Sequence, residues 1–134
     1  MSDLFWPMFA LFLWTFLVSL RNLQVRISAV RSRQVRQSYF ELFEGQAPEL
    51  VIKTGNHVRN LMEVPPLFYV ALLLVMLFGK ADAVFLWLAW GYVAFRVLHS
   101  LVHLTMNKVL PRLTMFLISN IVLLVIWVRL AVLL

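Results

Sequence analysis

Four long apolar runs follow one another along the chain. The first extends from Leu4 to Leu20 without a charge. The second follows Glu63, from Val64 to Gly79, and the third runs from Ala83 to about Thr105, broken only by Arg96. The fourth runs from Leu113 to Leu134, with Arg129 near its end. Each approaches the roughly 20 residues a helix needs to cross about 30 Å of hydrocarbon. None shows the period-two alternation of a barrel strand, and backbone groups in lipid must bond within their own segment, so the runs predict helices. The expected helices cover about 4–36, 56–79, 83–106 and 112–134 of a single domain, residues 1–134. Beyond Leu20 the first helix turns basic and amphipathic: Arg21, Arg26, Arg31, Arg33 and Arg36 alternate with Leu23, Val25, Ile27 and Val30, as a helix emerging from the membrane would. Residues 37–55, with Glu41, Glu44, Gly45, Pro48, Glu49 and Gly55, read as an aqueous loop. The connections Gly79–Asp82 and Asn107–Pro111 are short, which makes consecutive helices antiparallel neighbours.

Composition strengthens this picture. The 134 residues are 63% hydrophobic and only 13% charged, and mean hydropathy is +0.88. A soluble fold of this size could not hide that much apolar surface behind so few polar groups. The fold class is therefore an all-α integral membrane four-helix bundle. The absence of cysteine excludes a disulfide framework, a thiolate metal site and a cysteine nucleophile, so any thiol chemistry needs an imported thiol. The first run begins Met-Ser-Asp, with no basic stretch before it and no small-x-small pattern after Leu20, so it is expected to be retained rather than removed as a secretion signal.

The excess of Lys+Arg, 12 against 6 Asp+Glu, sits close to the ends of apolar runs and marks topology rather than nucleic-acid binding. The first and third connections carry Arg21, Arg26, Arg31, Arg33, Arg36, Lys53, Lys108 and Arg112, whereas the opposite side has little beyond Lys80. The positive-inside tendency places both basic connections in the cytoplasm and both termini on the other side. Trp6, Trp87 and Trp127 fall near the outward ends of their helices, where an indole N–H can stay among headgroups.

Polar groups inside a bilayer are expensive and face a cavity, a partner helix or another subunit. Asn56, Asn60 and Glu63 share one face of the second helix by their spacing of four and three. Tyr92, Arg96, His99, His103 and Asn107 form a stripe on the third. Both stripes open to the same side, so a pocket between these helices is expected, with Arg31 and Arg112 at its mouth. Structural alternatives are Glu63 pairing with Arg59 or Arg96, and the two histidines bonding across helices. Histidines at i and i+4 can hold a metal, but the third ligand would have to be His57 or Glu63, and no metal is expected. Asn120 reads as a helix-packing contact, and Pro65 and Pro66 as a bend just after Glu63.

Three tracts resemble one family, the membrane-associated proteins in eicosanoid and glutathione metabolism (MAPEG), which includes microsomal glutathione transferases and leukotriene C4 synthase. The stretch Asn60-Leu61-Met62-Glu63-Val64-Pro65-Pro66-Leu67-Phe68 resembles the second-helix signature. Leu23-Gln24-Val25-Arg26-Ile27-Ser28-Ala29-Val30-Arg31 is similar to the basic end of the first helix, with one inserted residue, and Ala94-Phe95-Arg96-Val97-Leu98-His99 resembles the third helix. The resemblance implies a homotrimer with glutathione held between subunits near the cytoplasmic face, conjugating or reducing lipophilic electrophiles that enter from the bilayer. It also implies glutathione contacts for Asn56, Asn60, Glu63, Arg96 and His103, and for Arg31 of a neighbouring subunit. Arg112 lies about two residues from the family's thiolate-stabilising arginine. The chain departs from the pattern at Asn56, where the family has arginine, and at Val64, His99 and His103, where it has tyrosine.

These residue types suit the ligand. Glutathione carries two carboxylates, one ammonium and a thiol of pKa about 8.5. Arg31, Arg96 and Arg112 offer cations and Glu63 a carboxylate. An arginine beside the sulfur lowers the thiol pKa, and His99 could serve instead as the base. Arg112 and His99 are thus the candidate catalytic residues. Two other classes remain open: a small proton-coupled exporter of lipophilic compounds, and a non-catalytic packing subunit.

Overall fold

The computed structural model describes residues 2–105 and 109–134, with side chains for all of these except 2, 103 and 104. After one 3-10 turn at Ser2–Leu4 come α1 (Phe5–Arg31), α2 (Tyr39–Leu42), α3 (Glu49–Glu63), α4 (Pro65–Leu77), α5 (Ala83–Thr105) and α6 (Val109–Leu133). Helices α3 and α4 together make one span, so four spans long and apolar enough to cross a membrane are present among the described residues: Phe5–Arg31, Glu49–Leu77, Ala83–Val102 and Val109–Leu133.

Two helix boundaries differ from those read in the sequence. Helix α1 ends at Arg31 rather than 36 because Arg33 adopts φ 59°. The N–H of Gln34 then donates to the carbonyl of Ala29, and that of Arg33 to Val30, at 3.0 and 3.1 Å. This is a Schellman stop, built here without its usual glycine. The second span begins at Glu49 rather than 56, because the fixed, extended backbone of Pro48 (φ −56°, ψ 145°) ends the loop and its carbonyl accepts from Val51 and Ile52. The expected loop 37–55 therefore contains α2 and the first turns of α3. The bend expected at Pro65 and Pro66 is present: α3 stops at Glu63 and α4 starts at Pro65. Neither proline has an N–H to donate back toward the preceding turn.

The turn between α4 and α5 fixes how the two central spans meet. Gly79 (φ 64°) closes α4 with the same Schellman pattern, Lys80 to Val75 at 2.9 Å and Gly79 to Met76 at 3.1 Å. A side chain at Gly79 would meet no atom, but its backbone is left-handed. Gly79→Ala is thus expected to destabilise by about 1 kcal/mol, through backbone strain alone, in a chemical denaturation series in detergent.

Asp82 caps α5. Its Oδ1 accepts the Phe85 N–H at 2.9 Å, and Oδ2 pairs with Arg129 of α6. The Phe85 N–H first, and then Arg129, hold this carboxyl below the usual carboxylate range. The folded pKa is below the unfolded one, so this contribution is present above the unfolded value of about 3.9 and is lost as pH falls through the folded value. Asp82→Ala should therefore cost about 1 kcal/mol near neutral pH, and the gap to the unsubstituted protein should close below about pH 4.

The bundle interior is apolar in the half nearer the chain termini and the α4–α5 turn. Leu11, Phe68, Leu72, Val75, Phe85, Ala89 and Ile126 are fully buried in one cluster. Helices α5 and α6 pack along their lengths, and α1 lies against α3 and α5. Trp14 Nε1 of α1 donates to Ser100 Oγ of α5 at 2.9 Å. The outward faces keep Phe5, Trp6, Phe9, Phe12, Phe16, Leu124 and Val128 exposed, an arrangement tolerable only in lipid. Between lipid-facing helices the hydrophobic effect supplies little net attraction, so polar contacts and close packing set the arrangement.

Candidate functional site

Helix α5 presents Tyr92, Arg96 and His99 on one face by spacing of four and three, and the fold turns that face inward: Tyr92 and Arg96 are 0% exposed and His99 3%. Arg96 is held by neutral acceptors. Nε donates to the Tyr92 hydroxyl at 3.1 Å, Nη1 to Asn60 Oδ1 at 3.0 Å and Nη2 to Asn120 Oδ1 at 3.0 Å. Its guanidinium lies over the Phe116 and Tyr92 rings, at 5.3 and 5.4 Å from their centroids. One side chain thereby ties together α3, α5 and α6.

This network orients Asn60. With its amide oxygen committed to Arg96, its remaining polar group is the NH2, a donor. Asn60 lines a cleft of about 340 Å³ together with Asn56, His99, Arg112, Phe116, Val109 and Leu113. Among the described residues, no carboxylate lines this cleft. Arg112 contributes a charge at its wall, and Arg96 a second one directly behind Asn60. Two cations and amide donors favour an anionic guest. His99 lies 6.4 Å from His57, between ring centroids, and 5.9 Å from Phe116. No group of three His, Asp or Glu side chains that could hold a metal occurs among the described residues.

Of the residues singled out in the sequence, Asn56, Asn60, His99 and Arg112 meet in this cleft and Arg96 underlies it. Glu63 does not join them, and neither expected pairing forms. Arg96 turns to Asn60, Asn120 and Tyr92, and the ion pair seen among the described residues joins Arg129 to Asp82. The reason is helical phase. Thr54, His57 and Leu61 form the buried line of α3, and at about 100° per residue Glu63 falls on the far side and is exposed. Arg31 is also elsewhere within a single subunit. It lies exposed on α1, in a surface groove with Leu20, Leu23, Gln24, Ile27, Ser28 and Ser32. The side chain of His103, and Asn107 entirely, lie outside the described residues.

Asn120 matters more than the sequence alone suggested. It is indeed a contact between helices, but specifically an acceptor for Arg96. The available signal was a lone amide in an otherwise apolar helix. Phe116, which covers both Arg96 and His99, carried no such signal.

Four apolar spans, three of which line a polar, cationic cleft, define a multi-pass integral membrane protein. Residues 4–132 match the MAPEG family over nearly the full length, and the chain belongs to that family. Neither a curated protein nor a solved structure matches the chain.

Proposed function

We propose that the chain binds glutathione, or a similar small anionic thiol, in the cleft lined by Asn56, Asn60, His99 and Arg112, and conjugates it through its sulfur to lipophilic electrophiles from the bilayer. The observation that carries this reading is the cleft's charge: Arg112 at the wall, Arg96 behind Asn60, and no acid in the lining. A tripeptide with two carboxylates and an ionisable thiol matches that imbalance, and membership of MAPEG supports the choice. Arg112 favours the thiolate over the thiol, while the Asn60 NH2 meets a carboxylate or carbonyl oxygen. The thiol proton leaves to water or to His99. The sulfur lone pair forms an S–C bond, and the electron pair it displaces goes to the leaving group or to an adjacent acceptor. Lipophilic partners are concentrated in the bilayer, which is the physical reason to run this reaction there.

The functional unit in this proposal is a homotrimer. A single subunit carries two partial polar surfaces: the cleft, and the Gln24, Ser28 and Arg31 side of α1. Exposed charge along a lipid-spanning helix is costly, and joining the second surface of one subunit to the first of its neighbour covers both. The basic connections then face the cytoplasm, where reduced thiol is available. The test is a titration of purified protein with glutathione, followed by thiolate absorbance. Saturable growth of that signal below the free thiol pKa supports the proposal. Absence of glutathione binding overturns it.

A further inference from the structure

A second chamber lies between α1, α2 and α3, on the other side of Asn56 from the cleft. It measures about 500 Å³ and is lined by Arg26, Arg59, Asn56 and the aromatic side chains Tyr39, Phe40 and Phe43. Its lining contains two arginines and no Asp or Glu. The Arg26 guanidinium lies over the Phe40 and Phe43 rings, 5.1 and 5.3 Å from their centroids. Its Nε is buried without a hydrogen-bond partner. The rings meet edge to face, Tyr39–Phe40 at 5.2 Å and Phe40–Phe43 at 6.2 Å, and form one wall. A planar cation held against aromatic faces keeps its N–H edge for an acceptor. The Nη edge of this guanidinium, beside the Gly55 wall of the chamber, suits an oxyanion, with phosphate best matched to the fork.

The location suggests the source. Helix α2 follows the first span closely and leaves Leu42 73% and Phe43 49% exposed. A single amphipathic turn with bare apolar side chains beside a membrane span lies at headgroup depth. We propose that this chamber is a phosphate-oxyanion site holding the headgroup of an anionic phospholipid, with Arg26 and Arg59 as its cations and the Tyr39, Phe40 and Phe43 rings as its wall.

The test follows the melting temperature of the full-length protein in neutral detergent, as soluble short-chain phosphatidylglycerol or inorganic phosphate is added. The lipid is expected to stabilise saturably. Arg59→Gln, at an exposed side chain, should weaken that response about tenfold. So should Gly55→Leu, which keeps both cations but puts bulk into the chamber: a Cβ at Gly55 already lies 3.8 Å from Arg26 Nη2. Arg36→Gln, an exposed arginine outside the chamber, should leave the response within about twofold. Inorganic phosphate acting as strongly as the lipid keeps the oxyanion site but overturns its assignment to a headgroup. An unsaturable response, or equal losses in all three variants, reduces the effect to diffuse charge and overturns the proposal. Displacement of the lipid by saturating glutathione also overturns it, since the two sites would then be one. Lipid binding without glutathione binding would refute the proposed activity and leave this site standing.

Discussion

Arg96→Leu is expected to lower stability by about 3 kcal/mol, among the largest losses available to any single substitution in this chain. The side chain is fully buried and satisfies Tyr92, Asn60 and Asn120 at once. Removing it leaves two amide oxygens and a phenol without their partner at membrane depth, each costing about 1–3 kcal/mol, partly offset by relief of the buried cation's desolvation. Apolar packing alone does little to hold lipid-embedded helices together, so this network is a principal source of specificity where α3, α5 and α6 meet. The measurement is unfolding in mild detergent by increasing denaturant. A second experiment locates the energy. If the cost lies in orphaned acceptors, adding Asn60→Leu and Asn120→Leu to Arg96→Leu should recover most of the loss. If the triple variant is no more stable than the single one, the loss comes mainly from packing of the arginine stem and the network account fails.

The spans were legible because lipid imposes a coarse rule, about 20 apolar residues per crossing, and all four runs obey it. The stripe Tyr92, Arg96 and His99 was legible for a similar reason, since spacing alone fixes a common face on one helix. What the sequence did not reveal was rotation. Along α6, apart from the neighbouring Ser119, apolar residues surround Asn120, so little in the pattern marks which face turns inward or pairs Asn120 with Arg96. Glu63 shows the opposite failure. Its spacing from Asn60 is helical, but Asn60 lies at the margin of the inward face, and one further step carries Glu63 out of the subunit. The end of α1 was missed because its stop residue is Arg33, a side chain seldom found with positive φ, where a glycine would have announced the cap. The cleft's second basic half, around Arg31, could not be joined to the first in one subunit, because the join belongs to the proposed assembly.

Arg112→Ala should remove most of the thiolate signal of bound glutathione while leaving binding within a few-fold. A cation about 4 Å from sulfur contributes about 4 kcal/mol at an effective dielectric of about 20, and such neighbours typically lower a pKa by about 1–3 units. Taking two units, a thiol of pKa about 8.5 falls to about 6.5, so the thiolate fraction at pH 7 drops from about three quarters to about one thirtieth when the arginine is lost. The pH profile of turnover should move upward by the same two units. Arg112→Lys should restore part of the shift, because it keeps the charge but not the planar fork. If the profile stays put and only affinity falls, Arg112 binds a carboxylate and His99 becomes the activating group. The assembly can be tested with the same variant. Arg31→Ala and Arg112→Ala are co-assembled in equal amounts and assayed near pH 7, where each alone is strongly impaired. If each site takes Arg31 from one subunit and Arg112 from its neighbour, about one quarter of all sites in the randomly assembled population contain both intact residues, and about one quarter of the unsubstituted activity is expected. A site confined to one subunit would recover none, because every chain would lack one of the two arginines.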